Sequence, residues 1–129
     1  TVLSKLKTLI NQNQTGLNNL ETILDFYIEA ILVDNEEKNC LIIKCKSELA
    51  SLDQRVKDWV FTQEKDVVSF FKSLVEIGQE DGSINTLQSP SAYALYIASS
   101  VQGLRITGSV NKSLKDLNSI KRAILQTLQ

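Results

Sequence analysis

A chain of 129 residues suits one domain around a single core, and 43% hydrophobic residues argue against a disordered polymer. One proline and five glycines leave little material for a turn-rich β architecture, so long helices are expected. The formal charge is −1, with 14 basic against 15 acidic side chains and a sequence pI near 5.4, which argues against a basic face built to hold nucleic acid.

In chain order, Val2, Leu3, Leu6, Leu9 and Ile10 fit one helix face, and the polar run from Asn11 to Gly16 breaks it. From Leu17 the apolar set continues through Leu20, Ile23, Leu24, Tyr27, Ile28, Ile31 and Leu32. That spacing of three and four residues predicts an amphipathic helix of four turns. Asp34 to Glu37 reads as a polar connector, and a shorter helix is expected from about Asn39 to Ala50.

Asp53 is a natural N-cap, because its carboxylate can accept the free amide hydrogens of the turn that follows. Behind it Val56, Val60, Val67, Phe70, Phe71, Leu74 and Ile77 predict a long helix that stops at Asp81-Gly82. Ser89-Pro90 opens the next helix, since serine caps free amides and proline at the first helical position forfeits no hydrogen bond. That helix should reach Ile106 or Gly108, and a last one should run from about Lys112 to Leu128. No apolar run approaches the ~20 residues that span a bilayer. No repeat or linker divides the chain, so residues 1–129 are expected to form one all-α domain of five to six helices.

Chemistry-bearing residues are few. Histidine is absent, and Cys40 and Cys45 point to different faces of the helix expected there, so no disulfide between them is expected. Two thiols fit a reducing cytoplasm. Glu21 with Asp25, and Glu76 with Glu80, are carboxylate pairs one helical turn apart, which read as solvated faces rather than acid–base machinery. Without histidine, a phosphate-binding glycine loop or a metal-ligand spacing, neither an enzyme, a metal nor another cofactor is expected. Tyr27 and Trp59 suit either the flat walls of a pocket or ordinary core packing. Gln63, one turn after Trp59, suits a ligand hydrogen bond or solvent. Gly103 inside a helix costs roughly 1 kcal/mol against alanine, so a close helix contact within or between subunits should offset it.

The order of several pieces carries a resemblance. Asn39-Cys40-Leu41, Glu48-Leu49, Asp53 with Val56, the turn at Gly82 and the Gln102-Gly103-Leu104 block fall in sequence much as in one family. The chain resembles the C-terminal ligand-binding and dimerisation domain of TetR/AcrR-type transcriptional repressors, with Asn39 where that family usually has glycine. The resemblance spans nearly the whole chain. It implies a homodimer in which the last two helices form a four-helix bundle with their copies. Tyr96, Ser99, Gly103, Ile106, Leu117, Ile124 and Leu128 are then the expected seam; Arg105 suits either a pair with an acid across a subunit interface or a solvated position. It also implies a pocket for a small apolar or amphipathic effector among the helices starting at Leu17, Asp53 and Pro90. Tyr27, Cys40, Trp59, Gln63, Val67 and Ile97 are its expected lining, with a buried inert thiol as the rival role for Cys40.

No helix-turn-helix precedes Leu3, and the chain begins at Thr1 without methionine. The DNA-reading half is therefore expected to be absent from this chain, with Val2 to Ile10 as the remnant of the helix joining the two halves. DNA would be met only through that missing half, and no membrane contact is expected. The alternative reading is a helical protein–protein interaction module with no small-molecule ligand.

Overall fold

In the computed structural model, which describes residues 2–34, 48 and 53–129, every described segment of regular structure is helical. The helices are α1 (Val2–Thr8), α2 (Gly16–Leu32), α3 (Gln54–Asp81), α4 (Pro90–Val110) and α5 (Leu114–Leu128). The expected short helix from Asn39 to Ala50 lies outside the described residues.

Four of these helices begin on a side chain that satisfies amides no helix can pair internally. The Thr15 hydroxyl accepts from the Asn18 amide at 3.1 Å, and Asp53 Oδ1 accepts from Arg55 and Val56 at 2.8 and 3.2 Å. Ser89 accepts from Ala92 at 3.1 Å and Ser113 from Asp116 at 3.3 Å. Gly82 ends α3 in the left-handed conformation, φ 84°, which costs a residue without Cβ nothing. At the opposite end of α2, the Lys112 ammonium donates to the carbonyl oxygens of Ile31 at 2.8 Å and Asp34 at 3.4 Å. A cation there complements the helix dipole and ties the α4–α5 connection to α2.

Helix α2 is the centre of the bundle. Leu20, Ile23, Leu24, Tyr27, Ile28 and Ile31 are all buried, and α3, α4 and α5 pack round them. Phe71, Leu74 and Val75 from α3, Ile97, Val101 and Leu104 from α4, and Leu117, Ile124 and Leu128 from α5 complete one continuous core. Leu6 is the only residue of α1 sealed within it, and α1 lies against α3.

The connection from α3 to α4 is pinned by Asn85. Its backbone amide donates to the Leu128 carbonyl at 2.7 Å and its side-chain amide to that of Thr127 at 3.1 Å. Its side-chain oxygen accepts from the Tyr93 hydroxyl, and its own carbonyl accepts from Gln79 at 3.0 Å. The terminal carbonyls of α5 are thereby paired with a loop far upstream, Asn85 and Thr127 standing 42 residues apart in the chain.

Candidate functional site

Helix α4 carries one charged residue, Arg105, in 21 positions. A helix that is apolar on all sides normally lies buried. Here one side is not: Ala92, Tyr96, Ser99, Gly103, Ile106 and Val110, spaced four, three, four, three and four residues apart, all face outward. Ile106 is 51% exposed and Val110 88%, and Leu95 beside the stripe is 61% exposed. A Cβ added at Gly103 would meet nothing within 4 Å.

The inward flank of α4 holds a polar cluster. The Gln102 side-chain amide donates to Glu64 Oε1 on α3 at 2.8 Å. One turn on, the Arg105 guanidinium carbon stands 5.8 Å from the centre of the Tyr27 ring on α2, within cation–π range. Tyr27 is buried, and burial raises its phenol pKa; nearby Arg105 pulls it back down and Glu64 adds to the rise. Three helices thus present a carboxylate, a guanidinium, a carboxamide and a phenol to one junction, among the helices where the resemblance implied an effector pocket.

The expected lining residues divide. Tyr27 belongs to this junction, and Gln63 and Val67 are half-buried on α3 near it in sequence. Ile97 is fully buried core. Trp59 is 63% exposed while its neighbour Val60 is buried, because one residue is a 100° step round a helix. Trp59 therefore does not wall the interior. Cys40 lies outside the described residues.

The expected seam divides as well. Tyr96, Ser99, Gly103 and Ile106 share the outward stripe of α4. Leu117, Ile124 and Leu128 do not: all three are buried in the core of their own subunit, so they are unavailable to a second chain without unpacking α5. The α5 residues that do face outward are mainly polar or small, Lys115, Asp116, Ser119, Arg122, Ala123, Gln126 and Thr127. Arg105, considered for a cross-subunit pair, is engaged with Tyr27 of its own chain.

A shallow groove of about 480 Å³ runs between α1 and α3, floored by Leu3, Ile10, Phe70, Leu74 and Ile77 with Lys7, Asp66, Ser69 and Ser73 at its edges. It shares no residue with the α2–α3–α4 junction. Sequence reasoning missed it because a groove depends on how α1 tilts, which periodicity does not fix. It also passed over Glu64, whose position beside Gln102 is a contact between residues 38 apart in the chain.

Among the described residues no cluster of three acidic or cysteine side chains could hold a metal, and no helix is long and apolar enough to cross a membrane. The chain matches no known protein-family profile and no curated protein sequence.

Proposed function

We propose that the chain is the effector-sensing and dimerisation domain of a TetR-type transcriptional repressor. The observation that carries the sensing role is the Tyr27–Glu64–Gln102–Arg105 junction. A helical core is ordinarily closed with aliphatic side chains, because each buried polar group must be hydrogen-bonded to avoid a desolvation cost. A buried phenol beside a half-buried carboxylate, carboxamide and guanidinium, at the edge of the aliphatic core that holds Ile97 and Val101, offers what a small-molecule site uses: apolar sides and a few orienting polar atoms. The effector is a small apolar or amphipathic molecule. By binding one helix arrangement better than another, it would shift the spacing of two DNA-binding heads carried upstream of α1. The heads, rather than this near-neutral domain, would touch DNA.

Thermal unfolding in the presence of a broad panel of amphipathic small molecules tests this. At least one should raise the melting temperature by preferential binding to the native state, and Glu64→Ala or Gln102→Ala should abolish the rise. The rival reading is a helical interaction module with no ligand, favoured by the exposed Trp59 and Phe61 on α3. A panel without a single stabiliser, together with capture of a protein partner that Trp59→Ala abolishes, would establish that reading instead.

A further inference from the structure

We infer that the groove between α1 and α3 binds a single-chain carboxylate, its acid head meeting the Lys7 ammonium and the Ser69 hydroxyl and its alkyl tail lying along the apolar floor. The site shares no residue with the Tyr27–Glu64–Gln102–Arg105 junction, so it does not depend on the function proposed above.

The groove's volume, about 480 Å³, falls within the roughly 300–1,000 Å³ usual for small-ligand clefts. Its two walls are built differently. On α1, Leu3, Lys7 and Ile10 stand four and three residues apart, which sets the cation between two apolar side chains on one helix face. No acid occurs between Val2 and Leu20, so Lys7 has no carboxylate on its own element to meet. On α3, the one acid of the wall, Asp66, stands at its end. Phe70, Leu74 and Ile77 all lie beyond Ser69 from it, and Ile77 is about 16 Å further along the helix at ~1.5 Å per residue. A tail running along these three therefore leads away from the acid. The donors of the groove are unspent where the head would sit. Among the described residues Lys7 makes no ion pair, with Asp66 or any other acid, and the Ser69 hydroxyl makes no hydrogen bond. The Ser73 hydroxyl, by contrast, is used within α3, donating to the Ser69 carbonyl at 3.3 Å. A cation and a free hydroxyl complement an anionic oxygen pair, and the floor is apolar surface still open to water, with Ile77 48% exposed. A cationic amphiphile would have to put its head at Asp66 and pass its tail beneath the Lys7 ammonium.

Isothermal titration calorimetry with decanoate below its micellar concentration, and with decyltrimethylammonium as a cation of the same chain length, tests this. Circular dichroism checks that each variant is helical and folded. Decanoate should bind the wild-type chain, and Lys7→Glu should weaken it at least roughly tenfold, the scale of one hydrogen bond to a charged group. Ile77→Asn should weaken it by about threefold or more, because part of the tail's apolar cover is lost. Asp66→Asn should not weaken it, and Glu64→Ala, at the separate junction, should leave it within about twofold. The decyl cation should bind at least roughly tenfold more weakly than decanoate. Absence of decanoate binding up to millimolar concentration, binding that survives Lys7→Glu unchanged, or a cation that binds as tightly would overturn the assignment. Binding lost in Glu64→Ala and kept in Lys7→Glu would place the carboxylate at the junction, overturning the groove site while leaving the sensing role standing.

Discussion

Asp81 is the last residue of α3, yet its carboxylate serves the start of α2. Its Oδ2 accepts from the Gly16 amide at 2.8 Å and its Oδ1 from the Ser83 amide at 2.9 Å. The Ser83 hydroxyl, in turn, accepts from the Leu17 amide at 3.1 Å. A negative charge at a helix N-terminus is favourable both as an acceptor and against the helix dipole. Hydrogen bonding from the Ser83 side chain, and then from the Gly16 and Ser83 amides, holds the carboxyl below the ordinary aspartate value of 3.8 against the opposing effect of burial. A group whose pKa is lowered on folding adds stability above its unfolded value and loses it as pH falls through the folded one. Wild-type stability should therefore decline on acidification below the ordinary aspartate range, and Asp81→Asn should flatten that part of the profile. Urea melts across the acid range measure this; parallel wild-type and Asn profiles would contradict it. The side chain is exposed, so the effect is expected to be small and screened by salt.

Between elements, α2 and α3 approach closely, backbone to backbone, at Gly16 and Gly78. A Cβ added at Gly16 would lie 2.5 Å from both the Cα and the amide nitrogen of Gly78, and backbone atoms cannot give way as a side-chain tip can. Gly16→Ala should thus force the helices apart and cost on the order of 2 kcal/mol, the usual scale of overpacking, as read from denaturant midpoints. An unchanged midpoint would mean that α2 starts elsewhere. Nothing local distinguished Gly16 from the polar run before it, so the sequence suggested a break there and not a contact. The helix starts were legible because Asp53, Ser89 and Pro90 act within one turn of themselves, and so was the stop at Gly82. Even there the ends moved slightly: α4 runs on to Val110 and α5 begins at Leu114. The apolar stripe of α5 was legible too, but not its destination. Leu117, Ile124 and Leu128 have the same spacing whether they meet α2 or another subunit, and only the packing of α5 onto α2 decides between them. Likewise Tyr27 was legible as an inward residue of α2 from its spacing, whereas Glu64 acquires meaning only from its long-range partner Gln102.

At the scale of the whole molecule, α4 connects the two surfaces on which the proposed function rests. Its inward flank brings Gln102 and Arg105 to the junction with α2 and α3, and its outward face presents Gly103 and Ile106, each the next residue along. On the function proposed above, a helix with the polar junction on one flank and the outward stripe on another would give effector binding a direct mechanical route to a second subunit. The Lys121–Asp25 ion pair at 2.8 Å between α5 and α2 is partly open to solvent and adds little to this frame, which rests on the aliphatic core. The central claim, that the bare side of α4 is covered by a second copy in the folded state, can be tested by thermal unfolding at two chain concentrations about a hundredfold apart, since association with the native state alone makes the midpoint depend on concentration. The account predicts a midpoint that climbs with concentration for the wild type and stays fixed for Ile106→Glu. A wild-type midpoint that is the same at both concentrations would contradict it.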